Sequence, residues 1–159
     1  METKAGDPGA FARFDLKRVP TPAFVVDEVA IRRNLTILAD IKAQSGAKIL
    51  SAMKAFSMWE LAPVIGEYLD GVCTSGLWEA RLAGEKYSGE IATYCAGYKA
   101  EDMDEIVRLS DHVIFNSPNQ HALFAVHLND SVDVGLRLNP EHPEGEVAKY
   151  DPSSPHSRL

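Results

Sequence analysis

Lys54, Arg137 and Ser75 are the residues whose type and setting could do chemistry. Lys54 lies in KILSAMKAFSMW, a run apolar on both alternating faces, as in a strand covered on both sides. Desolvation in such a strand would lower an amine's pKa and supply the neutral form that attacks an aldehyde to make a Schiff base. The structural alternative is a lysine at a strand end that runs its ammonium out to solvent. Arg137, in VGLRLNP, sits between two leucines and needs acceptors. These could be an anionic ligand group, such as a cofactor phenolate, or a carboxylate across the core. Ser75 closes CTSG, where it could cap the next helix or touch a ligand.

Other reactive residue types read as structural. His112, His121, His127, His142 and His156 lack metal-ligand spacing such as HExxH, and His112 opens an apolar run as a core or edge residue. Cys73 and Cys95 stand on separate apolar segments without CxxC spacing and read as core thiols. The acidic run EDMDE at 101–105 suits the positive end of a helix macrodipole. No GxGxxG or Walker-type loop is present, which weakens a dinucleotide or nucleoside triphosphate reading.

The elements that must position these residues follow a period. AFVVD at 23–27 reads as a lone strand. From Glu28 a helix pattern places Ile31, Leu35, Leu38 and Ile41 on one face and ends at Gly46. Strands are then expected at about 48–54, 70–75, 91–96, 112–117 and 132–139, with helical runs between them. Their carboxyl ends, Lys54, Ser75, Ala96, Ser117 and Asn139, are spaced by 21, 21, 21 and 22 residues. That length holds one short strand, one helix and two tight loops, so the unit is βα and successive strands are parallel. Ser57 with Glu60 and Ser117 with Gln120 have capping-box spacing, and Pro118 suits a first helical position. Pro63 conflicts with a helix started by Ser57.

Five βα repeats suit an open doubly wound sheet of flavodoxin type or the first part of a TIM (β/α)8 barrel. The last 19 residues, EHPEGEVAKYDPSSPHSRL, have no apolar period for a fifth covering helix, which an open sheet would need. The barrel reading expects further sequence, since a full barrel takes about 250 residues. Apolar residues make up 45% and charged residues 25%, the balance of a globular domain. A net charge of −7 with interspersed signs gives no basic stripe for nucleic acid. No apolar run reaches the about 20 residues of a membrane helix, and the first 22 residues lack a signal-peptide core, so the expected location is cytoplasmic.

The succession TPAFVVDE, KILSAMKAFSMW, LDGVCTSGLWEARLA, DHVIFNS, VGLRLNP and SPHSRL resembles the carboxynorspermidine and carboxyspermidine decarboxylases, pyridoxal-phosphate enzymes of fold type III with the alanine-racemase-like barrel. A lysine followed by AF, one residue and MW is typical of this branch. The ornithine and diaminopimelate branches, the nearest alternatives, place aspartate where this chain has Val72. The resemblance implies that Lys54 forms the internal aldimine with pyridoxal 5'-phosphate, that Arg137 approaches the cofactor ring, and that Ser75 belongs to the second-strand motif of the cofactor site. It implies a homodimer acting on a small polyamine precursor. It also implies a division into a polar segment 1–20, a strand and helix over 21–46 leading into the barrel, and an amino-terminal part of the barrel over 47–159. The strand near 23–27 would belong to a second, β-rich domain, and the remaining cofactor-binding parts would follow residue 159. Two rivals keep other readings open: a non-enzymatic flavodoxin-like module with a structural Lys54, and a cofactor-homeostasis protein of the same barrel fold.

Overall fold

The computed structural model describes residue 11, residues 13–155 and residue 157. The expected polar segment 1–20 lies largely outside them, as does His156 of the SPHSRL segment. Helix α1 spans Glu28–Ser45. Its start is set by Asp27, whose side chain accepts a hydrogen bond from the Ala30 N–H at 3.1 Å. Its end is set by Gly46, which takes the left-handed conformation at φ 72° and donates its N–H to the Lys42 carbonyl. Leu35 is buried and Ile31 and Leu38 partly so, whereas Ile41 is exposed. At 100° per residue Ile41 has drifted about 80° off the stripe that begins at Ile31, beyond reach of the sheet.

Residues 23–27 form no strand, and the Phe24 side chain is 97% exposed. The β-branched and aromatic composition that suggests a strand there finds no neighbouring strand among the described residues, and an isolated strand has no ladder to join.

Five strands follow: β1 Leu50–Ala52, β2 Gly71–Thr74, β3 Glu90–Cys95, β4 His112–Phe115 and β5 Asp133–Leu136. β1, β2, β4 and β5 are shorter than their expected spans, and β3 has the expected length one residue earlier. They pair in parallel in the order β1-β2-β3-β4-β5. This order excludes the flavodoxin-type alternative, which brings strand 2 to the edge and reverses direction beside strand 1. Uninterrupted sequential order belongs to a barrel segment.

Between the strands lie α2 Ala62–Gly66, α3 Leu77–Lys86, α4 Ala100–Leu109 and α5 Pro118–Phe124. The Ser57–Glu60 capping box does not form; a 3-10 turn at Trp59–Leu61 intervenes, and α2 begins late enough to place Pro63 in its first turn, where a missing N–H costs nothing. Ser117 does cap α5: its side chain accepts the Gln120 N–H, with Pro118 at the first helical position, while the Gln120 side chain accepts the N–H of Asn116 rather than that of Ser117. Among the described residues only a 3-10 turn at Ala148–Tyr150 and no α-helix follows β5, and Val134 and Leu136, in register with buried Val113 and Phe115, remain 44% and 47% exposed.

The core lies between the sheet and its helices. Met53, Val72, Thr74, Thr93, Val113 and Phe115 are buried on the helix-facing side of the sheet. Helix α4 closes it with Met103, Ile106 and Val107, at the i, i+3, i+4 positions of one face. The buried hydroxyls of Thr74, Thr93 and Ser110 satisfy one another at 2.7 Å each. Tyr98 places its hydroxyl 2.9 Å from the Thr93 carbonyl and 3.0 Å from that of Ile114, and burial pushes its pKa up.

Candidate functional site

Side chains alternate across a strand, so the register fixes which residues share the face turned away from the helices. Ala52, Cys73, Ala92, His112 and Asp133 form one row on that inner face. Continuing two residues along the strands adds Tyr94, Ile114 and Gly135, and the Tyr94 hydroxyl and the Arg137 guanidinium both reach Asn116 just past β4. Lys54, Ser75 and Arg137 stand just past the carboxyl ends of β1, β2 and β5, so all three residues singled out in the sequence lie at one rim, where barrel enzymes collect catalytic groups.

Lys54 sits in a turn just past β1. The turn is tied by the N–H groups of Ala55 and Phe56 donating to the Ala52 carbonyl at 3.0 and 3.1 Å. Met53, 2% exposed, plugs the helix side and donates its N–H to the Cys73 carbonyl. Lys54 is exposed, so the desolvated lysine expected from the apolar run is not found. The run is apolar on both faces, but only the helix-facing one is covered among the described residues. No carboxylate of the described residues pairs with its amine, which leaves the nitrogen available to an incoming electrophile.

Ser75 follows β2 and is exposed. It does not cap α3: Gly76 takes the cap position, and Glu79 reaches back so that its carboxylate accepts the Ser75 N–H at 2.7 Å. The Ser75 hydroxyl is thus left exposed at the rim. Cys73, read as a core thiol, is exposed on the inner face because its register matches Ala52 rather than Val72. Cys95 is half-buried, its thiol donating to the Gly97 carbonyl.

Arg137 is half-buried beyond β5, its N–H donating to the Phe115 carbonyl at 2.9 Å. The carboxylate alternative does not hold among the described residues: the guanidinium reaches the neutral Asn116, whose Oδ1 accepts from Nη1 at 3.3 Å. The same oxygen accepts the Tyr94 hydroxyl at 2.8 Å. Tyr94 and Asn116 were not legible as site residues singly. Their signal is position, since each is a polar side chain at a strand end on the rim that carries Lys54 and Arg137.

The opposite rim carries charge pairs rather than a reactive group. Glu90 pairs with Lys48 and with His112 Nε2, and His112 Nδ1 lies 3.5 Å from Asp133. The Lys48 ammonium and the His112 ring hold the Glu90 carboxyl below the usual carboxylate range. His112 is thus an edge residue at the start of β4.

Comparison with known proteins gives the same picture. No family model matches the chain. The carboxynorspermidine/carboxyspermidine decarboxylase of Herminiimonas arsenicoxydans is 36% identical over 141 residues, covering 89% of this chain and 38% of that protein. Its counterpart from Campylobacter jejuni is 38% identical over 143 residues, covering 90% and 37%. The crystal structure of carboxynorspermidine decarboxylase from Campylobacter jejuni, complexed with norspermidine, superposes with a TM-score of 0.77 at 37% identity over 89% of this chain and 35% of that one. The chain is a homologue of these decarboxylases. A carboxyaminopropylagmatine decarboxylase of Synechocystis is also similar, 34% identical over 145 residues and 38% of its length. The chain thus spans between a third and two-fifths of the relatives it matches. The barrel segment expected from the resemblance is the fold that the carboxynorspermidine decarboxylase neighbour shares.

Proposed function

We propose that this chain forms the pyridoxal-phosphate-binding rim of a decarboxylase acting on a carboxylated polyamine precursor, carboxynorspermidine or carboxyspermidine, with Lys54 holding the cofactor. The observation that carries the reading is that Lys54, Ser75 and Arg137 each stand just past the carboxyl end of a strand of one parallel sheet, on a single rim of the barrel segment. A structural lysine or a cofactor-free module gives no reason for this convergence.

The donor set fits the cofactor. An aldehyde needs an accessible primary amine, which Lys54 presents, and a ring oxygen needs a cationic donor, which Arg137 presents. When bound, pyridoxal phosphate supplies the electron sink that lets an α-carboxylate leave as carbon dioxide. Within this chain, Lys54 would hold the aldehyde carbon, and Arg137 would orient the ring by charge-assisted hydrogen bonding. Ser75 offers an exposed hydroxyl just past β2, on the same rim. Residues 21–46 serve as the lead into the barrel and 47–159 as its amino-terminal part, with five strands and the four helices between them.

The relatives' named substrates pair a carboxylated amine end with a cationic tail. The net charge of −7 suits such a tail, and we take the working assembly to be a homodimer in the cytoplasm. Among the described residues no helix is long and apolar enough to cross a membrane.

Titration with pyridoxal phosphate tests the reading. The protein should develop absorption at the visible edge, and Lys54→Ala should lose that band while keeping its far-ultraviolet circular dichroism. A band of equal strength in the variant would move the cofactor to another lysine.

A further inference from the structure

We propose that Asn116 is a positioning residue of this site: its carboxamide oxygen fixes where the Arg137 guanidinium presents its remaining N–H donors on the inner face. The inference rests on the reading above that Arg137 faces the cofactor.

The chemistry determines the orientation of the amide. A guanidinium has donors only, so the Asn116 atom 3.3 Å from Nη1 must be the oxygen. With that oxygen facing Arg137, the Tyr94 hydroxyl at 2.8 Å must donate to it as well. Two donors from two neighbouring strands thus lock one carbonyl oxygen, and the amide cannot flip without losing both. The Asn116 Nδ2 protons and the Nε and Nη2 donors of Arg137 are then left for an acceptor on the inner face, the demand of a phenolate-type oxygen.

The backbone under Asn116 is equally determined. Its N–H donates to Gln120 Oε1 at 2.7 Å, and Gln120 Nε2 donates to the Ala96 carbonyl at 3.1 Å. Gln120 itself is fixed through its N–H to the Ser117 side chain at the start of α5. The carboxyl ends of β3, β4 and β5 are therefore knit by two side-chain amides, Asn116 on the inner face and Gln120 behind it. Arg137 follows the last described strand, and no α-helix of the described residues comes after it, so this bridge is what steadies its guanidinium.

The test compares Asn116→Ala, Asn116→Asp and Arg137→Ala with the parent protein, reading pyridoxal phosphate affinity and the pH midpoint of the visible band. Outer partners that orient a ligating side chain at metal sites contribute about 10–100-fold in affinity. Asn116→Ala should accordingly weaken cofactor binding about tenfold, and Arg137→Ala at least as much. Asn116→Asp retains the acceptor, so affinity should be kept. Its added negative charge favours the protonated form of the chromophore, so the midpoint should move to higher pH. A role confined to folding would leave that midpoint in place, and if Asn116→Ala does not fold, Asn116→Asp decides alone. Parent-like affinity and midpoint in both Asn116 variants, beside a weakened Arg137→Ala, overturn the proposal alone. So does weakening in Asn116→Ala with none in Arg137→Ala. A parent protein that binds no pyridoxal phosphate overturns the functional reading and this proposal with it.

Discussion

Gly89→Ala should destabilise the protein far more than its exposed position suggests. Gly89 lies at the entry to β3 with φ 87°, and a Cβ built on it would lie 2.1 Å from the Asp70 carbonyl oxygen. Backbone cannot yield as a flexible side chain does, so β3 must move away from β2. That movement breaks the hydrogen bond in which the Glu90 N–H donates to the same carbonyl at 2.8 Å. A left-handed conformation costs an L-residue about 1–2 kcal/mol, and the lost hydrogen bond adds about 0.5–1.5 kcal/mol. The expected loss is about 1.5–3.5 kcal/mol, a large share of the 5–15 kcal/mol of an ordinary domain. Gly97→Ala is the control, because nothing lies within 4 Å of its Cβ position. It should stay within about 0.5 kcal/mol of the parent. Urea unfolding at one protein concentration measures both. Equal midpoints for the two variants would refute the close-approach argument.

Stability should fall on acidification partly through Asp70, whose carboxyl is held below its ordinary value by the Lys42 ammonium and by the Ile49 N–H. A lowered folded pKa contributes stability above the unfolded value and loses it as pH drops through the folded one, here below about pH 4. Asp70→Asn should flatten that acid limb in urea midpoints measured against pH, and an unchanged slope would count against it. The isolated 159-residue chain should self-associate, because β1 and β5 each pair on one side only and Val134 and Leu136 lie half-exposed. Size-exclusion chromatography checks this; a monomer that melts cooperatively would contradict it.

Periodicity carried most of the fold. The spacing of strand ends gave five parallel βα units, and Gly46 and Ser117 marked helix boundaries that local chemistry alone determines. Tertiary context decided the rest. Ser57 failed as a cap because Pro63 allows a helix only from its own first turn. Cys73 and Lys54 sit in apolar runs yet are exposed, because apolar alternation shows that both faces are built for burial without showing what covers each. The Tyr94–Asn116–Arg137 bridge joins three strands, a relation that needs the register as well as the residue types.

The central claim is that Lys54, at the carboxyl rim of the barrel segment, holds pyridoxal phosphate. Borohydride reduction of the protein with limiting pyridoxal phosphate, followed by peptide mapping, tests it most directly. A pyridoxyl group should appear on Lys54 and be lost in Lys54→Ala. Labelling spread over surface lysines such as Lys99 and Lys149, with Lys54 unmodified, would contradict it.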